Sequence, residues 1–300
     1  MTTRSNGPLA GFGWLKNGIG VGFRHPKPLL GGAAILAVGC FLPLLITLPM
    51  QFSAAKAGVP LSPGTFGWIM AIPMLFSLLL MPLYAGYLQL VDAAERELPA
   101  SASDIFKPYR QGEALRLIGY AVAVILLYVA ISGLIIVATG GGLASWYMQA
   151  MIAQPNQQLP PPTLPPGFGI SMILFMLFFL FLSGFYAISL GQVALNRRNA
   201  FGAIGDGVIG ALKNMLPLLV FAVSALLGWI GVAIVLILLV GLLALIGKLV
   251  GTWLVVVLLI PVYIALVLVM FSAMFGVMYY LWRDVCSDDI VPDVAEAIAA

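Results

Sequence analysis

Eleven carboxylates, one histidine and two cysteines are the side chains of this chain that could serve as acids, bases, nucleophiles or metal ligands. A transition-metal site needs several such groups converging on one point. The single histidine, His25, stands beside Arg24 and Lys27, and Cys40 and Cys286 lie far apart along the chain. No metal and no cofactor is therefore expected, both thiols are read as free, and His25 is read as a solvated or lipid-facing residue. Covalent and acid–base catalysis need a base held beside a nucleophile. The carboxylates instead sit in short polar segments, at Asp92, Glu95, Glu97, Asp104, Glu113, Asp206, Asp284 and beyond. Asp92, Glu95, Arg96 and Glu97 have the spacing of local helix ion pairs. No phosphate-binding glycine loop and no zinc-protease motif occurs. The expected set of catalytic residues is empty and the chain is not expected to be an enzyme. A cytoplasmic-face reaction on the segment from Asp92 to Glu113 is the one catalytic option left open.

The elements that carry these groups follow from where charge is missing. Hydrophobic residues make up 62% of the chain, charged residues 8%, and mean hydropathy is +1.09. Soluble domains carry about 25% charged residues, so the outer surface of this chain must meet hydrocarbon. Residues 28–55, 57–91, 117–196, 214–247 and 249–282 contain no Asp, Glu, Lys or Arg. A helix crosses the hydrocarbon in about 20 apolar residues. Lipid cannot satisfy bare backbone, which leaves helices or a closed barrel. Barrel strands alternate apolar and polar positions, whereas 173–182 is apolar throughout. The chain is expected to be all-α, with six spans near 28–50, 65–91, 115–139, 168–193, 216–244 and 252–282. The first apolar run is read as a retained span rather than a cleaved signal. Lys248, flanked by Gly247 and Gly251, is expected to mark a tight hairpin between the last two spans.

With the N-terminus inside, the outer segments hold only Lys56 and Lys248 of the 14 Lys and Arg, leaving 14 − 2 = 12 on the cytoplasmic side. That asymmetry predicts both ends in the cytoplasm. Residues 1–27 form an N-terminal interfacial elbow, 28–282 the six-span domain, and 283–300 a short acidic tail, read as a frayed helix. The outer segment 140–167 opens with three glycines and ends in a proline-rich run. It reads as a surface loop anchored by Trp146 and Tyr147 rather than as a lid.

Gly18–Leu30 aligns without gaps on Gly207–Leu219, sharing a glycine, a basic residue and a Pro-Leu-Leu step. Asp104–Arg110 stands at a similar place before the third span. Basic and apolar residues mixed just before a span suit an interfacial elbow on an anionic leaflet. The architecture is therefore expected to be a transmembrane helical bundle of three hairpins, each led by a cytoplasmic interfacial elbow helix. Lys16, Arg24, Lys27, Lys107, Arg110, Arg197, Arg198 and Lys213 are the expected contacts to lipid headgroups. The basic residues are too dispersed for nucleic acid. The span interiors contain no Asp, Glu, Lys, Arg or His, which disfavours ion coupling. Their serines and threonines are expected to bond backbone carbonyls, and Gln89 and Gln192 to lie near water. Pro43, Pro49, Pro73, Pro82 and Pro261 are potential kink positions.

Trp14–Leu30, Ser103–Arg110 and Ala203–Leu219 together resemble segments of an uncharacterised proteobacterial six-helix inner-membrane protein family. That group is broadly similar to YciC-type proteins and to the membrane domain attached to some glycerophosphodiester phosphodiesterases. The resemblance implies six spans in a bacterial inner membrane and supplies no activity. No phosphodiesterase domain accompanies the spans in these 300 residues, so that reaction is not carried over. Two non-enzymatic roles follow as expectations. The first is handling of lipid or small apolar solutes in envelope physiology. The second is a scaffold or assembly factor that binds other membrane proteins or a second copy of itself.

Overall fold

A computed structural model describes residues 3–57, 62–153 and 163–286. Among them there are ten α-helices and no strand. Helix α1 spans Ala10–Arg24, α2 Pro26–Ala57 and α3 Pro63–Glu95. A 3-10 turn, Ala102–Phe106, leads into the single-turn α4, Lys107–Arg110, and then α5, Ala114–Ala138. Helices α6 (Gly142–Ala153), α7 (Phe168–Ala194) and α8 (Ala200–Lys213) precede the long pair α9 (Met215–Val250) and α10 (Thr252–Cys286). Helices α2, α3, α5, α7, α9 and α10 are long and apolar enough to cross a membrane. The chain is a multi-pass helical membrane protein.

All six expected spans are present, most of them a few residues longer than hydropathy alone marks. The hairpin near Lys248 forms at Gly251, whose φ of 136° a β-carbon would disfavour. Two expectations need correction. The outer segment is not a plain loop, because Gly142–Ala153 is helical and Trp146 packs edge-on against Phe168 at 6.4 Å. The second elbow is not a helix of useful length. Ser101 and Asp104 cap it reciprocally, Pro108 sits in the first turn of α4, and Gly112 at φ 73° follows its end. The prolines at 155 and 160–162 and the acidic tail beyond Cys286 lie outside the described residues.

The elbow repeat is present in the backbone. His25 and Asn214, 189 positions apart, are both the C-caps of their elbow helices, α1 and α8. The next residues, Pro26 and Met215, open α2 and α9. The elbows do not rest on the hairpins they introduce. Helix α1 packs on α10 and α9, the 3-10 turn on α3 and α2, and α8 on α7 and α5. Each elbow thus seats on the hairpin that ends the preceding repeat, and the first closes the circle by seating on the last. Small residues permit the contact: a Cβ on Gly18 would stand 2.5 Å from the backbone N of Val277. One on Gly207 would stand 2.9 Å from the Phe185 carbonyl oxygen.

The core lies at this elbow end. Leu29, Leu36, Tyr87, Leu88, Tyr120, Phe185, Ile188 and Phe275 are fully buried there. Farther along, packing thins to scattered buried residues such as Thr47, Ile69, Ser171, Phe178 and Leu243. In α5 nothing past Ala121 is buried, in α9 nothing between Leu218 and Leu243, and in α10 nothing from Trp253 to Phe271. All ten residues from Leu226 to Val235 are exposed, nearly three turns bare on every face. In hydrocarbon no hydrophobic effect drives helices together, so close packing needs small residues and hydrogen bonds. Those concentrate at the elbow end. Gly133, Gly169, Gly228, Gly231 and Gly241, in the far halves, face open space.

A polar collar and an apolar mid-span cavity

The elbow end is laced by a collar of polar contacts. Arg24, the last residue of α1, lies 3.1 Å from Glu95 Oε1 at the end of α3. Its guanidinium also donates to the Tyr280 hydroxyl at 2.6 Å, and Tyr280 donates to the other Glu95 oxygen. The Tyr280 bond raises the Arg24 pKa above its ordinary value, partial burial opposes this, and Glu95 adds attraction. Burial of the Glu95 side chain is nearly complete, at 7% exposure. Sequence spacing assigns Glu95 to local helix pairs; the structure assigns it to three elements. His25 is half-buried with Nε2 3.9 Å from the same carboxylate. Asp92 does pair locally, with Arg96 at 2.8 Å. Trp14 Nε1 donates to Asp284 at 2.8 Å, tying α1 to α10.

Asn214 is the collar residue whose role is hidden in the sequence. It is fully buried and accepts the Asn6 N–H at 2.9 Å. It donates to the Arg4 carbonyl at 2.9 Å and to the Gly210 carbonyl at 2.9 Å. Lys213 Nζ donates to the Thr3 carbonyl, and the Arg4 N–H to the Val285 carbonyl. The N-terminal segment is thereby strapped across the α8–α9 junction and the end of α10. Its place at the repeat position matching His25 was the only signal for Asn214.

Of the eight basic residues expected at headgroups, Lys16, Lys27 and Arg110 are exposed, and the Arg24 and Arg197 side chains stay 52% and 67% exposed although paired. Arg24, Lys107, Arg197 and Arg198 are engaged by Glu95, Asp104, Glu113 and Asp206 at 3.1, 3.4, 3.2 and 2.7 Å, and Lys213 by the strap. Arg24, Arg197 and Lys213 thus join separate elements of the collar, whereas Lys107 pairs within its own turn. Among the described residues no cluster of three His, Cys, Asp or Glu could hold a metal. Among the described residues neither Cys40 nor Cys286 forms a disulfide.

Polar groups inside the spans bond largely as expected. Thr47 donates to the Pro43 carbonyl, Ser77 to Met74, Ser183 to Leu180 and Ser189 to Phe185. The glutamines differ from expectation. Gln192 is fully buried and accepts from Asn196 at 2.7 Å, and Gln89 donates to the Ala194 carbonyl at 2.9 Å. Gln89, half-buried, ties α3 to α7 at the elbow end, while Gln192 is held within the end of α7, away from water.

One cavity of about 420 Å³ lies between α5 and α7. Val124, Ile125, Tyr128, Phe179, Leu182, Ser183, Phe185 and Tyr186 line it. Tyr128, Phe179 and Ser183 are exposed, so the cavity opens sideways. Val124–Tyr128 lie 10 to 14 residues into α5, about 15–21 Å from its start, near the middle of a hydrocarbon layer about 30 Å thick. Its size falls within the roughly 300–1,000 Å³ of small-molecule pockets. Its lining is mostly apolar, with Tyr128, Ser183 and Tyr186 supplying the only hydroxyls. The fold is that of a six-span helical membrane protein. Compared with protein-family models, curated proteins and solved structures, the chain finds no match.

Proposed function

We propose that this is a multi-pass protein of a bacterial inner membrane that accommodates a lipid acyl chain or a small apolar molecule between its hairpins. The observation that carries the proposal is the apolar mid-span cavity between α5 and α7, next to far helical halves that leave one another. The spans carry no charge from Leu117 to Asn196, so an ion-coupled cycle has no residue to run on. Far-half glycines that face open space leave room for hairpins to approach one another. They permit closing around a chain and reopening. The elbow segments' resemblance to proteobacterial inner-membrane proteins supports the location.

The test uses a phospholipid with a photoactivatable group midway along its acyl chain, in liposomes carrying the full chain. Crosslinks are expected to concentrate on 124–128 and 179–186, and Ser183→Trp, which fills the cavity, is expected to reduce them several-fold. Equal labelling of the cavity and of Leu226–Val235, unchanged by that substitution, would defeat the reading and leave the scaffold role.

Both ends are placed in the cytoplasm under this proposal, on the strength of the Lys and Arg asymmetry. In intact cells a membrane-impermeant thiol reagent is expected to label Lys248→Cys and to spare Lys16→Cys. The reverse pattern would invert the protein.

A further inference from the structure

We infer that α1 and α8 are a matched pair of leaflet anchors, whose outward apolar faces seat at the headgroup–acyl boundary of an anionic leaflet on the elbow side. At 15 and 14 residues both helices are too short to cross a bilayer. Large exposed apolar residues on a span need no explanation, because lipid covers them. On these two helices, at the polar end of the bundle, they do. Phe12 is 54% exposed and Phe23 67%, while Phe201 is 84% and Leu212 60% exposed. The four are two equivalent pairs: 201 − 12 = 189 and 212 − 23 = 189, the same offset that relates His25 to Asn214. Within each helix the pair is separated by 11 positions, three turns, and so shares one face. The opposite faces are the buried ones, through Trp14, Gly18 and Val21 in α1 and Ala203, Gly207 and Gly210 in α8.

The occupant follows from covalent continuity. Pro26 and Met215 open membrane-spanning helices one residue beyond the caps. The elbows are therefore held at the edge of the hydrocarbon, and the nearest apolar phase is the same bilayer. On α1 charge supports the same placement, whereas the one Lys of α8, Lys213, is held by the strap. Lys16 lies on the Phe12–Phe23 face, Lys27 follows it, and both are exposed. Lysines that keep their ammonium at the headgroups while aromatic rings enter the acyl region are the pattern of an interfacial helix. The second elbow, with a single helical turn, has no comparable face.

The test places nitroxide labels at Phe12→Cys and Leu212→Cys in a Cys40→Ala, Cys286→Ala chain, in vesicles of phosphatidylglycerol and phosphatidylcholine. Asn17→Cys, exposed and well away from the Phe12–Phe23 stripe, is the aqueous reference. Labels at 12 and 212 are expected to meet oxygen far more than a water-soluble nickel chelate, with the reverse at 17. Chelate access equal to that at 17 would overturn the inference. Shielding from both reagents would overturn it in favour of a protein contact. The pair Lys16→Gln and Lys27→Gln is expected to lower the share of phosphatidylglycerol among motionally restricted lipids several-fold. An unchanged share would refute the anionic preference.

Discussion

Gly18→Val is expected to unseat α1 and to destabilise the fold by about 3 kcal/mol or more, beyond the usual range for overpacking. The site has no space to yield. A Cβ there would lie 2.5 Å from the Val277 amide nitrogen and 2.8 Å from its Cα, and a backbone cannot rotate away as a side chain can. The reciprocal contact is equally tight, since a Cβ on Gly276 would stand 2.5 Å from the Gly18 carbonyl oxygen. Overpacking in a well-packed core costs about 1–3 kcal/mol when neighbours can shift, and here the neighbours are main chain. Losing the seat also exposes Trp14 and breaks its bond to Asp284. The internal reference is Gly20→Val on the same helix. A Cβ on Gly20 would meet nothing within 4 Å, so that change is expected to be neutral or to stabilise slightly through helix propensity. Thermal unfolding in detergent, followed by circular dichroism and by monodispersity, compares the two. Equal behaviour of the two variants would mean that α1 does not seat on α10 as described.

Asn214→Leu is the second large effect, expected at about 2–3 kcal/mol. The substitution keeps volume and removes a buried amide that satisfies the Asn6 N–H and the Arg4 carbonyl. A buried polar group left unpaired costs about 1–3 kcal/mol. Three such groups lose this partner, the Asn6 N–H and the Arg4 and Gly210 carbonyls, and the strap can recover part of the loss by turning to water. The strap should therefore detach as well as the fold weaken. Hydrogen exchange at the Asn6 amide is expected to accelerate by at least about tenfold, the equivalent of about 1.4 kcal/mol. Asn214→Asp retains the acceptor for Asn6, loses the donor to Arg4, and adds a buried charge, so it is expected to be no better than Leu. A strap amide that exchanges at the wild-type rate in both variants would remove Asn214 from its role.

The spans were legible because hydrocarbon imposes a composition that few other environments allow. A run such as 214–247 has one physical solution, and α9 follows it. The elbow positions were legible for a related reason: Gly18 and Gly207 must be small, and a basic residue and Pro-Leu-Leu must follow at the membrane edge. What remained hidden was which surface each elbow covers. Close approach depends on glycine, and 33 glycines offer far more candidate contacts than the fold uses; Gly18 packs on Val277 while Gly20 packs on nothing. The Arg24–Glu95–Tyr280 group was hidden because its members are distant in the chain, and the local Asp92–Arg96 pair accounts for its neighbourhood. Helix α6 was obscured by the glycines before it and the prolines after it, which read as a loop. The cavity had no signature either, since Tyr128, Phe179 and Tyr186 look like any lipid-facing aromatic until α5 and α7 are placed side by side.

The central claim is that the helices pack at the elbow end and part from one another toward the opposite face, leaving lipid between them. The most direct measurement is a nitroxide scan of α9 from Leu226 to Val235 in lipid nanodiscs, reading oxygen accessibility at each of the ten positions. The account predicts high accessibility at all ten with no helical periodicity, and a clear fall at Leu218, which is fully buried. A dip recurring every three to four residues would show that one face of α9 is covered, by a closed bundle or by another protein, and would contradict it.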